Sequence, residues 1–189
     1  FGGRDLGNND SAKYLNSPET ALYQKSNTLY GLHVTKDVIR RSGYAVLVEG
    51  YMDFLQLYQA GIEPVVSVSG TSLTKNHANM LSKLVNKVIL LYDGDSAGGN
   101  AAIRAGFIIY QNGMEAQVIR PPDGLDPDDW VLQNSFDDIK SAIDSPTTFL
   151  DFHMEFHNVT ELKGIKLRDY LHELLLNINQ ISDVIIKNE

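Results

Sequence analysis

Three short acidic motifs hold most of the chemistry this sequence offers. Glu49 and Asp53 lie in VEGYMD, Asp93 and Asp95 in YDGDSAG, and Asp126 and Asp128 in PDGLDPDD. Each motif follows a short apolar run: Ala45-Val46-Leu47-Val48, Val88-Ile89-Leu90-Leu91-Tyr92 and Ala116-Gln117-Val118-Ile119. Such runs read as buried strands, and Gly50 and Gly94 let the chain turn sharply after the first two. In an open α/β sheet, ligands bind just beyond the carboxyl ends of parallel strands. Glu49, Asp93, Asp95, Asp126 and Asp128 are therefore expected along one sheet edge. Two carboxylates about 4 Å apart repel by roughly 4 kcal/mol at a protein surface, so protons or a cation must answer the cluster. Oxygen donors without His or Cys nearby suit Mg2+ or Mn2+. A pair of such ions about 4 Å apart can activate a hydroxyl and stabilise a leaving pyrophosphate.

Each motif taken alone has a plainer reading. DGD is a common surface turn, DPDD is a common helix start whose acids suit the dipole, and Glu49 alone is a strand-end residue in water. The conjunction carries the argument: three acidic motifs, each at the carboxyl end of a strand, in a chain of alternating strands and helices.

The elements that must place these residues can be read in order. Residues 1–30 are rich in loop formers, and a helix is expected over 34–41 with Gly43 as its stop. The strand 45–49 precedes a helix over 52–60 with Phe54, Leu57 and Tyr58 on one face. A second strand over 64–68 leads into Gly70-Thr71-Ser72, which reads equally as a plain turn or as a set of N–H donors for a phosphate. Thr74 caps a helix to Val85, and a third strand covers 88–92. Ser96 is the expected cap of a helix carrying Ile103, Phe107 and Tyr110. The residue types give no reason for Gly99-Asn100 inside that helix. A fourth strand runs over 116–119, and Pro127 opens a short helix through Trp130, which packs on the sheet. Helices follow over 135–143, 146–157 and 161–178, the last with Leu167, Tyr170, Leu171, Leu174, Leu175 and Ile178 on one stripe, read as internal packing. His153 and His157 fall on an exposed helical face, and His33, His77 and His172 read as surface residues. This alternation predicts an α/β fold with a parallel sheet flanked by helices and a C-terminal helical subdomain.

At 189 residues the chain can bury one sizeable core, and its 43% hydrophobic and 21% charged content is that of an ordinary globular protein. No apolar run approaches the roughly 18 residues of a membrane span, so no membrane partner is expected. Without Cys there is no disulfide, no thiolate zinc site and no catalytic thiol, which fits a reducing cytoplasm. The opening Phe and the incomplete pattern in ISDVIIKNE suggest a piece of a longer protein. The net charge of −8 is unevenly spread: residues 1–44 hold six basic and four acidic residues, the remainder 10 basic and 20 acidic. Eight of those 20 acids lie in the three motifs once Asp123 and Asp129 are counted. A divalent cation would offset that local charge, so the total is a poor guide to partners.

The motifs EGYMD, GT.LT, YDGD.AG..AA.RA and PDG.DPD, in this order and spacing, resemble the TOPRIM domain of bacterial DnaG-type primases. FGGR, KYLNSPET and QKSNTLYGL resemble the segment that precedes that domain, so the likeness runs over residues 1–133; the tail is similar to the family's helical subdomain. The resemblance implies a basic segment and helix over 1–44, a TOPRIM catalytic domain over 45–133 and a truncated helical subdomain over 134–189. It implies a DNA-directed RNA polymerase making short RNA primers from ribonucleoside triphosphates on a single-stranded DNA template, in the bacterial cytoplasm at the replication fork. Glu49, Asp93, Asp95, Asp126 and Asp128 match its metal-site positions, with Asp53 close by, and Arg4, Lys13 and Lys25 match basic positions along the template and nucleotide path. The family's zinc module and the module that meets the replicative helicase are expected outside this chain, so no zinc is expected here. A TOPRIM nuclease or topoisomerase, or a non-catalytic nucleotide-binding module, is the alternative.

Overall fold

A computed structural model describes residues 2–4, 14–122 and 124–181. A two-stranded antiparallel pair, β1 (Gly2–Arg4) and β2 (Tyr14–Asn16), precedes helix α1 (Leu32–Ser42). The central sheet then builds up from β3 (Ala45–Val48), α2 (Tyr51–Gln59), β4 (Val65–Ser67), α3 (Lys75–Ser82), β5 (Lys87–Leu91), α4 (Ser96–Gln111) and β6 (Glu115–Ile119). Helices α5 (Pro127–Gln133) and α6 (Phe136–Asp144), strand β7 (Thr147–Thr148), α7 (Phe149–Phe156) and α8 (Ile165–Ile178) complete it. The strand order is β4-β3-β5-β6-β7.

The first four strands of that order are parallel, as the alternation predicts. All four residues of β3 are fully buried because both sheet faces are covered. Ala45 and Leu47 join Ile39, Leu81, Ala102, Phe149 and Phe152 in one core, whereas Val46 and Val48 join Phe54, Leu57, Trp130, Ile139 and Ile143 in the other. Successive side chains thus enter opposite cores, and each fully buried Val or Leu contributes about 2 kcal/mol. Trp130 fastens α5 to the sheet as its position predicts.

The sheet is mixed, however, because β7 pairs antiparallel with β6. Two Thr residues at the place where a helix is expected to begin make this edge, and Thr148 caps α7 by accepting from Asp151 N at 3.2 Å. The β1–β2 pair likewise lies inside the segment that reads as loop. Asp95, not Ser96, caps α4.

Helix α4 holds three glycines, each costing about 1 kcal/mol against Ala in a helix. Close packing accounts for them. A Cβ on Gly98 would lie 2.3 Å from the Asp93 carbonyl oxygen, one on Gly99 2.1 Å from the Phe156 ring, and one on Gly106 2.0 Å from the Phe149 ring.

Two histidines depart from their surface reading. His77 is fully buried and closes the capping box of α3, its Nδ1 accepting from Thr74 N at 3.3 Å while Nε2 donates to the Lys25 carbonyl at 2.8 Å. Burial lowers its pKa. His153 is buried on α7 with Nδ1 2.8 Å from the Tyr170 hydroxyl, and burial drives its pKa down to about 4. Helix α8 departs the other way: none of its residues is buried, and Leu171 and Leu175 stand exposed.

Candidate active site

The loops after β3, β5 and β6 converge because these three strands are adjacent and parallel. Glu49, the residue after β3, is half-buried. Its backbone carbonyl accepts from Ser67 Oγ and from Ser69 N, both at 2.9 Å, so the end of β4 fixes the end of β3. Asp53 falls in the first turn of α2 and is buried. Its Oδ2 accepts from Gly50 N at 2.8 Å, which gives a buried carboxylate a backbone partner.

Gly94 joins the second motif to the third. Its N–H donates to the Leu125 carbonyl at 2.8 Å, and its carbonyl accepts from Arg120 Nε and Nη2 at 3.3 and 3.1 Å. A Cβ there would lie 2.5 Å from the Pro122 carbonyl oxygen, so only Gly permits the approach. Asp95 is exposed and accepts from Gly98 N at 2.7 Å through Oδ1. Asp126 caps α5 by accepting from Asp129 N at 3.0 Å. Carboxylate oxygens of Asp126, Asp128 and Asp129 all lie within 4.8 Å of one another, the one such trio among the described residues.

A cleft of about 750 Å³ opens over these loops. Glu49, Asp53, Asp93, Asp126, Asp128 and Asp129 form its acidic lining, and Asp95 stands outside it. Asn16, Tyr51, Gly70, Thr71 and Ser72 supply an uncharged polar part. Asn16 is the centre of that part: Oδ1 accepts from the Tyr51 hydroxyl at 2.8 Å and Nδ2 donates to the Ser69 carbonyl at 3.4 Å. Ser69 holds the left-handed backbone at φ +46°, and a Cβ on Gly70 would lie 1.9 Å from Asn16 Nδ2.

Burial raises Glu49 to about 7, reinforced by the charges of Asp93 and Asp53 and opposed by Arg104. Burial likewise raises Asp53 to about 6, against the Gly50 N–H. Asp128 rises to about 7 because it shares a hydrogen bond with Asp126, with burial second. Without an ion, protons hold this charge apart. The donors are all oxygens, and the burial and crowding that make three of them reluctant to ionise would be relieved by a divalent cation.

Of the basic positions, Lys13 and the Arg4 side chain lie outside the described residues. Lys25 opens a short 3-10 turn, Lys25–Asn27, that is fastened to α3. Thr74 Oγ1 donates to the Ser26 carbonyl at 2.8 Å, Asn76 Nδ2 donates to Asn27 Oδ1 at 2.6 Å, and His77 holds the Lys25 carbonyl. Lys25 does not line the cleft; Arg104 of α4 does. Sequence reasoning singled out neither Arg104, Asn16 nor Asp129 as site residues. All three were in view inside the quoted motifs, and only the convergence of loops distinguishes them from their neighbours.

The chain matches the family described as Toprim-like over residues 46–131 and the N-terminal domain of the DNA primase catalytic core over residues 1–36. It is 36% identical over 98% of its length to the DNA primase of Halalkalibacterium halodurans, covering 31% of that protein. Among solved structures, a DNA primase domain from Pseudomonas aeruginosa superposes with a TM-score of 0.86 at 30% identity, over 98% of this chain and 60% of that one. A DnaG primase catalytic domain bound to ssDNA gives 0.82 at 34% identity, over 98% and 61%. The chain spans less than a third of the length of the curated relatives it matches.

Proposed function

This chain belongs to the bacterial DnaG-type DNA primase family, and from that premise we propose that it carries the nucleotidyl-transfer centre of a metal-dependent DNA-directed RNA polymerase. The observation that carries the reading is the convergence of Glu49, Asp93, Asp126 and Asp128, from the ends of three adjacent parallel strands, on one cleft. The bond made joins a primer 3′ oxygen to the α-phosphorus of a ribonucleoside triphosphate, and the bond broken releases pyrophosphate. Mg2+ or Mn2+ would activate the hydroxyl and stabilise the charge leaving with pyrophosphate.

Glu49, Asp93, Asp126 and Asp128 would hold the ions. Asp95, at the cleft's edge, uses one oxygen for the α4 cap and would offer the other to an ion. Asp53, buried behind Gly50, sets the charge of the cleft beside the bound nucleotide. Arg4, Lys13 and Lys25, the last outside the cleft lining, would hold phosphates of the single-stranded template or the incoming nucleotide. The domain limits 1–44, 45–133 and 134–189 belong to the same proposal, as do a cytoplasmic place at the replication fork and an encounter with the replicative helicase through a module outside this chain. No helix among the described residues is long and apolar enough to cross a membrane.

Incorporation of labelled ribonucleotides on a single-stranded template, by a protein containing this chain, tests the proposal. Template-dependent primers that vanish with Asp93→Asn support it. Wild-type protein that cuts labelled DNA in Mg2+ and makes no primers would turn the same carboxylates into a nuclease.

A further inference from the structure

We propose that Arg104 is a phosphate contact of this cleft, an inference that rests on the nucleotidyl-transfer reading above. Arg104 is the one basic side chain lining the cleft among the described residues, amid six carboxylates. It is exposed and forms no hydrogen bond or ion pair with any described residue. An arginine that served only to balance the acids would sit on one of them, since a bidentate carboxylate partner is its preferred neighbour. This one stays within electrostatic reach of Glu49 and leaves its donors unspent.

The surface leading to it is shaped for a ligand. Ala97, Ala101 and Arg104 follow one another at helical spacing on the cleft face of α4, with Gly98 beside them. Two small residues, Ala97 and Ala101, keep the space above the helix open over about 10 Å of its length, and the guanidinium stands at the end of that strip. A ligand seated there must be anionic to meet Arg104 and must share cations with the carboxylates. A phosphate meets both demands. Its source is either the triphosphate of a nucleotide or the backbone of a nucleic-acid strand.

Binding measurements on this chain separate the two. Arg104→Gln and Arg104→Lys are titrated with ATP in Mn2+ and, separately, with an oligo-dT strand at several salt concentrations. Because Arg104 is exposed, both variants are expected to melt with the wild type. Weaker ATP binding in Arg104→Gln by about tenfold, largely restored in Arg104→Lys, with DNA binding unmoved, assigns the contact to the nucleotide. A fall of roughly 0.7 in the slope of log affinity against log salt, with ATP unmoved, assigns it to a strand backbone. Wild-type levels of both in Arg104→Gln overturn the inference and leave the nucleotidyl-transfer reading standing. A wild-type chain that binds neither probe overturns both.

Discussion

The carboxylates after β3 and those at the start of α5 face one cleft but owe their state to different causes. Glu49 and Asp53 are reluctant to ionise chiefly because the fold buries them, Asp53 within the first turn of a helix packed on the sheet. Asp128 is reluctant chiefly because Asp126 shares a hydrogen bond with it at a half-buried helix start. Removing solvent raises Glu49 and Asp53, and crowding by Asp126 raises Asp128. A divalent ion answers both, the first set by burial at the end of β3 and in α2, the second by a hydrogen bond at the start of α5.

The largest effect expected of a single change falls on that difference. Glu49→Gln removes a charged ligand without losing volume, so ribonucleotide incorporation should fall on the order of a hundredfold or more. The metal-free fold should melt no lower than wild type, because a buried charge has been removed. Asp93→Asn should behave the same way. A variant that keeps near wild-type synthesis, or one that unfolds, breaks the distinction between site and scaffold.

Asp95 separates the two roles within one residue. Asp95→Ala loses the α4 cap at about 1 kcal/mol and should lower the melting temperature by roughly 2–4 °C, whereas Asp95→Asn retains the cap and should melt with the wild type. Both should lower synthesis, because both remove the free carboxylate oxygen. Wild-type synthesis in Asp95→Asn would confine this residue to capping.

A smaller effect is the pH dependence of the metal-free fold. A carboxyl whose folded pKa lies above its ordinary value binds its proton more tightly when folded, so protons favour folding. That contribution is whole below the ordinary values of 3.8 and 4.5 and is lost as pH rises through about 6 for Asp53 and about 7 for Glu49. Thermal melts in chelator should therefore drift downward between pH 5 and pH 7.5, and Glu49→Gln should flatten part of the drift. A melt that stays level or rises over that window would contradict the burial argument.

The parallel sheet and its acidic edge are legible in the sequence because apolar runs, strand-end acids and turn glycines are local signals. What escaped is what distant packing decides. Gly99 and Gly106 disfavour a helix until Phe156 and Phe149 are brought against them. His77 and His153 are polar residues that read as surface until Lys25 and Tyr170 arrive as partners. Helix α8 shows the converse: its Leu stripe has the spacing of a core helix, yet only partial packing from residues such as Leu174 reaches the sheet core. Periodicity states which face is apolar, and it does not state what covers that face. Asp95 displaced Ser96 as the α4 cap for a local reason, since a carboxylate at the strand end already faces the helix N-terminus.

Counting protons tests the central claim most directly. Mn2+ is titrated into the chain at pH 6.5 in two buffers of different ionisation enthalpy, for wild type and Glu49→Gln. Ion binding to carboxylates that are partly protonated at that pH must expel protons. The account predicts millimolar or tighter binding with proton release in the wild type, and weaker binding with less release in Glu49→Gln. No binding at millimolar Mn2+, or the same proton count in both proteins, would contradict it.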